Sequence, residues 1–547
     1  MKLTNSDQLN SAPTPSQYLF ALWKDICGST VVCSGVSIKT QASFTEQLFK
    51  QAYKKFISQS PELRLAVAQP YEAYGQLQFE AYQPASDSAF AYEESSSVEA
   101  QSIVADLLNM ELGLTGEDNH LLRVTKCSPN EYLIFLAVEH LFADGLGVDA
   151  LLSRYLKTLD GLCSKASAQP LRPRALTDLL DYFSYEETVA PFVKNHIKQT
   201  TTSSFLWNPD AATIADRKGR FSVKTLVIAP ALFSQLNATA NASASSLFSL
   251  LLASFAKSFF QFQPTIDDVS LQIPTHGRQY NGKVLDKSLI GCFAQAFLIV
   301  LKRQQLTEFS EGQVYQYIHD YAANCMEHDV DQITARRNAT SIFRSDLKQQ
   351  LKSDDFAKSL RGRMPSNIYF SLYGGLSLPS KCSIFEVVDY YLATTNMPGS
   401  LDITVGYHNG SLKVSFNYDS LFFSTATIDA LSKVYLEQLV AIADTPLLGL
   451  GQQPKTEINQ QRVAPVIGLI NKFSLQPVDW SDIDAHLEID LGLDSLSKTH
   501  ILVDALKVLQ LKSQDVDRHA YYSSGTLREL LQVFPSSIQV ASDDTIA

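Results

Sequence analysis

Residues Glu131–Val138 read EYLIFLAV, an apolar run typical of a strand buried on both faces rather than one that is half solvated. The run delivers His140 at its end. Asp144-Gly145 then suits a tight turn, and Val148, Leu151, Leu152, Tyr155, Leu156 and Leu159 follow at helical spacing. A buried strand, a short loop and an amphipathic helix in that order require layered α/β packing, with the histidine on the loop at the strand end.

The alternation continues along most of the chain. Strand-like runs at Phe221–Ile228, Val269–Ile273, Phe293–Leu301 and Leu412–Tyr418 are interleaved with helical periodicities at Phe44–Ser58, Val148–Leu162, Ser246–Phe260 and Thr427–Ile442. The expected fold class is therefore α/β over residues 1–444. A helix-rich and then Thr/Ser-rich stretch, Ala175–Phe205, divides that region into lobes of about 1–180 and 181–444. Residues 445–456 (TPLLGLGQQPKT) hold two Gly, two Pro and two Gln and read as a linker. Beyond it, Glu457–Phe473, Ser495–Leu509 and Thr526–Phe534 carry helical patterns and no strand is evident. Residues 457–537 are thus expected to form a small helical bundle, with a tail at 538–547.

Composition narrows the function. At 547 residues the chain is long enough for three or four units of ~150 residues. A net charge of −12 argues against nucleic-acid binding, which needs a basic surface to displace phosphate counterions. Between Thr456 and Phe534 eleven acidic residues oppose seven basic ones, so the helical segment is acidic in its own right. Seven scattered cysteines without a CxxC pair fit neither a disulfide framework nor a zinc site, and no metal is expected. The opening residues carry no secretory pattern, and the longest apolar stretch, around Leu247–Phe260, falls short of the ~20 residues of a membrane span. It reads as a buried helix in a cytoplasmic protein without a membrane partner.

Two positions carry possible chemistry. A neutral imidazole at a strand end, such as His140, can take a proton from an attacking amine or hydroxyl, although a lone histidine can equally be structural. Ser495 stands at the start of a helix after Gly492 and Asp494. A serine there serves either as an ordinary helix cap or as an exposed attachment point whose phosphate the helix N-terminus would favour.

Glu139-His140-xxx-Asp144-Gly145 resembles the HHxxxDG signature of nonribosomal-peptide condensation domains and their relatives of the chloramphenicol-acetyltransferase-like fold. Further stretches match in order between about Pro13 and Ile442: PTPSQYLFALW from Pro13, SPELRLAV from Ser60, HLLRV from His120, IPTHGR from Ile273, IGCFAQAF from Ile290 and FNYDSLFF from Phe416. DLGLDSLSKTHILVDAL from Asp490 resembles the phosphopantetheine attachment site of acyl and peptidyl carrier proteins.

The resemblance implies two acetyltransferase-like lobes in a V-shaped pseudo-dimer, followed by a small all-α four-helix carrier domain. It implies His140 as the catalytic histidine, with Asp144 shaping its loop through an ion pair to Arg278 and Gly145 permitting the turn beside it. Ser495 would carry a covalent 4′-phosphopantetheine. The implied function is a condensation-type acyltransferase of a peptide or polyketide assembly line, joining a carrier-bound acyl thioester to an amine or hydroxyl. Its implied partners are trans-acting carrier, loading and release proteins and a phosphopantetheinyl transferase. The alternatives are a non-catalytic docking module and an acyltransferase of the same fold that uses coenzyme A thioesters. Two positions depart from the signature: Glu139 replaces the first histidine of the pair, and Gln295 stands where the family has asparagine. On a strand, Glu139 is expected to face away from His140 and to brace the loop from behind. His276 and His408 are expected to be ordinary loop or surface histidines.

Overall fold

The apolar run forms β6 (Glu131–Glu139), the middle strand of a five-stranded sheet. Antiparallel neighbours flank it, β1 (Val31–Thr40) on one side and β5 (His120–Ser128) on the other. β4 (Phe90–Glu94) runs parallel to β5 at one edge, and β13 (Phe385–Thr394) pairs antiparallel with β1 at the other. Successive β6 side chains enter different apolar clusters. Tyr132, Ile134, Leu136 and Val138 join the main core, while Leu133, Phe135 and Ala137 join a smaller cluster on the other face. Both faces are therefore dry, which explains the unbroken apolar run; each such large side chain buried is worth ~1.5–3 kcal/mol.

The structure is a computed structural model that describes residues 13–68, 77–82, 88–115, 118–164, 192, 221–243, 245–280, 283–284, 289–331, 333–335, 366–375, 382–396, 399–408, 411–444, 458, 460–474, 478–485, 487, 491, 493, 495–512, 515–517, 520–521 and 524–535. The expected lobe boundary near residue 180, the linker at 445–456 and the tail at 538–547 lie outside them.

Four helices attach to the first sheet. α1 (Pro15–Cys27) precedes β1, and α2 (Glu46–Ser58) packs on α4 (Gly145–Ser164), which in turn covers β1, β6 and β13. α3 (Ala100–Leu108) lines the smaller cluster. A second sheet has six strands in the order β11 (Gln295–Lys302), β8 (Asp268–Thr275), β12 (Ile368–Gly375), β14 (Leu401–His408), β15 (Ser411–Asp419) and β7 (Phe221–Ile228). Pairing is parallel where β12 meets β8 and β14 and antiparallel elsewhere. α5 (Pro230–Ala242), α6 (Leu247–Phe262), α8 (Glu311–Glu327) and α9 (Thr425–Ala443) pack in this half, and the short α7 (Arg303–Glu308) follows β11. Two small ladders, β2 (Leu65–Val67) with β3 (Phe79–Ala81) and β9 (Gln279–Tyr280) with β10 (Lys283–Val284), complete the strands. α6 is buried around most of its circumference, and among the described residues no helix is long and apolar enough to cross a membrane.

The chain is thus a mixed α/β fold with one main core shared by both sheets. β13 comes from the C-terminal part of that region yet completes the first sheet. A separate core joins α10 (Gln460–Phe473), α11 (Ser495–Val508) and α12 (Leu527–Gln532). Val463, Val466, Ile470 and Phe473 recur at helical spacing on α10 and are all buried, and Thr526 caps α12 in a capping box with Glu529.

Candidate active site

Thr30 and β6 fix His140 first: its backbone N–H donates to Thr30 O at 2.6 Å, one residue beyond the ladder with β1. The imidazole then stacks on Phe20 of α1, with ring centroids 3.7 Å apart and planes 11° from parallel. Cys292 Sγ lies 3.8 Å from Nδ1. The ring is 4% exposed, and burial pushes its pKa down to about 4 against the opposing pull of a bond to its own backbone and the Asp144 charge. The imidazole is therefore neutral at pH 7. A neutral imidazole keeps one ring nitrogen unprotonated as an acceptor. Burial also holds the Cys292 thiol well above its ordinary range, and it stays protonated beside the ring.

Asp144 and Arg278 meet as a buried bidentate pair. Arg278 Nη1 donates to Oδ2 at 2.8 Å and Nη2 to Oδ1 at 2.9 Å, with both side chains 2% exposed or less. Asp144 also accepts from Gly147 N at 2.8 Å, Phe293 N at 3.0 Å and Ala294 N at 3.2 Å, and its own N–H donates to Gly291 O. Arg278 further donates to His276 O and Leu289 O and lies over the Phe293 ring at 4.9 Å. One carboxylate thereby joins the start of α4, the segment before β11 and the end of β8. It also explains why β11 begins at Gln295 and not at Phe293: the two preceding amides serve Asp144 instead of the ladder.

The glycines have separate reasons. Gly145, expected to permit the turn beside His140, is the first residue of α4 and does not have a positive φ. A Cβ there would lie 2.2 Å from the Tyr373 ring, and close packing is what excludes a side chain. Gly277 does need its conformational freedom: φ is +59°, and a Cβ would lie 1.7 Å from Phe293 O. That turn aims Arg278 at Asp144.

α1 binds the two sides of the site together. Thr14 caps the helix and donates to Cys292 O at 2.7 Å, Ser16 donates to Ala294 O, and Gln17 Nε2 donates to Leu141 O at 3.1 Å. A cavity opens where these pieces meet, with Phe20, Trp23, His140, Gln295, Tyr369 and Tyr373 among its lining residues.

Glu139 lies on the β6 parity of Phe135 and Ala137, opposite to Val138. It is fully buried, accepts from Thr30 Oγ1 and pairs with Lys24 Nζ at 2.9 Å. Burial raises its pKa, while the Lys24 charge and the Thr30 hydroxyl pull it down. The carboxylate joins α1 to β6 behind the histidine.

His276 lies in the loop after β8, as expected, but its surroundings there are not ordinary. Its Nδ1 accepts from Arg278 N at 2.9 Å, and its ring lies 5.5 Å from that of His500 on α11 and 6.2 Å from that of Phe473 on α10. Phe473 and His500 stack on each other, and α11 packs against α6 and α8. His408 ends β14, opposite Ser411, and is in a strand rather than a loop. Ser495 is the first residue of α11, and no metal-binding cluster occurs among the described residues.

Sequence reasoning did not single out Phe20, Cys292 or Tyr373 as site residues. The first two sit inside stretches that carry the family resemblance, PTPSQYLFALW and IGCFAQAF, and were legible there as neighbours of the signature. Tyr373 sits on β12, whose position in the second sheet no local pattern announces.

No family model matches this sequence, and no curated protein matches it. Solved structures do. The epimerization domain from the third module of tyrocidine synthetase B aligns at 16% identity over 79% of this chain and 96% of that one, with a TM-score of 0.58. The first condensation domain of the CDA synthetase aligns at 13% identity over 80% and 96%, with a TM-score of 0.61. SgcC5 protein from Streptomyces globisporus aligns at 13% identity over 80% and 100%, with a TM-score of 0.59. At these identities what is shared is the fold: the mixed α/β architecture is that of condensation and epimerization domains.

Proposed function

We propose that the chain is a condensation-type acyltransferase that uses His140 as its base and carries its own acyl carrier unit at Ser495. The observation that carries this reading is the setting of His140: a neutral imidazole, stacked on Phe20, held through its backbone by Thr30, and lining a cavity. Such a ring removes the proton of an acceptor amine or hydroxyl as that group attacks a thioester carbonyl. The new C–N or C–O bond forms, the C–S bond breaks, and the proton passes to the departing thiolate. Asp144 and Arg278 keep the loop in register without touching the reactants, and holding donor and acceptor in one narrow space supplies the orientation the step needs. In this reading the two sheets are the arms of a V.

Residues 457–537 are the carrier domain in this proposal. Ser495 opens a 14-residue helix, and the buried Leu491 and Leu493 anchor the segment before it in the second core. A helix start of that length favours the phosphate of an attached 4′-phosphopantetheine. When bound, that group supplies a flexible arm ending in a thiol that holds the acyl chain as a thioester. Loading and release then fall to separate proteins of a peptide or polyketide assembly line, and a phosphopantetheinyl transferase installs the arm.

Incubation with a phosphopantetheinyl transferase and coenzyme A is expected to add one phosphopantetheine mass, and Ser495→Ala to abolish the addition. Acyl transfer to an amine or hydroxyl acceptor is then followed with carrier-bound and with coenzyme A thioesters. Loss of transfer from the carrier-bound donor in His140→Ala supports the proposal. Transfer that survives in His140→Ala overturns it, and transfer from coenzyme A alone assigns the donor differently.

A further inference from the structure

Most polar side chains that line the His140 cavity are already engaged. Gln272 Nε2 donates to Ser366 O at 2.7 Å, Asn396 Nδ2 to Asp402 Oδ1 at 2.5 Å, and Ser16 Oγ to Ala294 O. Gln295 is different. It is 3% exposed, and neither its amide nitrogen nor its amide oxygen has a hydrogen-bond partner among the described residues. A buried group left unpaired at both ends is unfavourable, so a primary amide in this state calls for a ligand that completes it.

Its frame is rigid. Gln295 directly follows Phe293 and Ala294, whose backbone amides hold Asp144, and it opens β11 opposite Thr275. The same carboxylate therefore positions the His140 loop and the unpaired amide. The apolar lining of the same cavity includes Leu19, Phe20, Trp23 and Ala296. A group that satisfies both ends of a primary amide offers an acceptor to the NH2 and a donor to the C=O, which is the pattern of a secondary amide.

We propose that Gln295 is a specificity-determining residue that selects thioester substrates bearing a secondary amide, pairing with that amide inside the His140 cavity. The inference rests on the acyl-transfer reading of the site. The amide can belong to the acyl group or to the thiol arm, and the chemistry Gln295 recognises is the same in either case.

Four probes separate the sources: hexanoyl and N-acetylglycyl groups, each joined to ethanethiol, which has no amide, or to N-acetylcysteamine, which has one. Each is prepared as the thioester for turnover and as the ketone, with CH2 in place of sulfur, for equilibrium binding by calorimetry to the full chain. An amide-bearing ketone is expected to bind the unaltered chain about tenfold more tightly than the amide-free one. Gln295→Met keeps the length and removes both polar ends; it is expected to erase that preference and not to lower the Tm. If Gln295→Met does not fold, Gln295→Asn retains the amide one methylene short and is expected to reduce the preference. A preference that survives the variants, an unaltered chain that shows none, or failure of all four ketones to bind overturns the proposal. Amide-dependent binding lost in Gln295→Met without any thioester transfer would retain the subsite and sink the acyltransferase reading. Transfer with an undiminished amide preference would do the reverse.

Discussion

Arg278 gives one terminal nitrogen to each carboxylate oxygen of Asp144, at 2.8 and 2.9 Å, in a place where neither side chain meets water. The pair joins the loop after β6 to the end of β8, and so links the two sheets at the His140 cavity. Its contribution is geometric as well as electrostatic, because the Asp144 carboxylate also accepts from the backbone amides of Gly147, Phe293 and Ala294.

Removing one partner of such a pair leaves the other charge buried and costs ~3–5 kcal/mol. Asp144→Ala is therefore expected to lower the Tm and to reduce acyl transfer together. His140→Ala removes a neutral ring and is expected to lose ~10²–10⁴ in transfer rate with a much smaller effect on Tm. Thermal denaturation of the two variants side by side checks this; equal Tm values would refute the bridge as a stability element.

The low pKa of His140 places its base function unusually far into acid. With the folded-state value at about 4, the imidazole is unprotonated across the ordinary histidine range. The acid limb of kcat/KM is expected near pH 4 and not near pH 6.5, in a buffer series in which folding is monitored at each pH. A limb at the ordinary histidine value would mean that water reaches the ring.

Gly145 is predicted to tolerate no side chain while Tyr373 is present. Gly145→Ala puts a methyl group into that ring, and overpacking of this kind costs ~1–3 kcal/mol. Reduced transfer and a lower Tm are expected, and Gly145→Ala combined with Tyr373→Ala should recover Tm relative to the sum of the two single changes. Simple additivity in that double-mutant cycle would argue against the contact.

Asp149 on α4 is fully buried and accepts from the Ser34 hydroxyl at 2.5 Å, and burial raises its pKa from 3.8 to about 7. Between those values the folded chain keeps a proton that the unfolded chain releases. Stability from this group therefore falls as pH rises from about 4 to about 7 and is level above that. Asp149→Asn, which can still accept from Ser34, is expected to raise Tm at pH 8, by an amount on the order of a few kcal/mol in stability, and to change it little at pH 4. A gain of equal size at both values would show that the effect is packing and not ionisation.

Much of this site was legible in the chain because its chemistry is local. The apolar run before His140 fixed strand, exposure parity and loop in one stretch, and Glu139 fell on the far face because alternation on a strand leaves it no other choice. The role of Gly145 was not legible, since the residue that forbids a side chain there, Tyr373, is distant in sequence on a strand that only tertiary pairing defines. His276 escaped for the same reason: its ring neighbours, Phe473 and His500, belong to another core. Helix bounds shifted where side chains took over backbone donors or acceptors. α4, expected from Val148, starts at Gly145 because Asp144 accepts from Gly147 N through its side chain and from Val148 N through its backbone carbonyl.

The placement of β13 against β1 has a kinetic consequence. Until Phe385–Thr394 has been synthesised, β1 presents an open row of backbone donors and acceptors along Val32–Thr40. The first sheet therefore cannot be completed as the chain emerges from the ribosome; it waits for a strand that begins 345 positions after β1 ends. Pairing across so long a separation is slow, and the exposed edge is a template for other chains in the meantime. Nascent chains arrested before residue 385 should thus aggregate or recruit chaperones, and those arrested well after residue 394 should be released from that hazard.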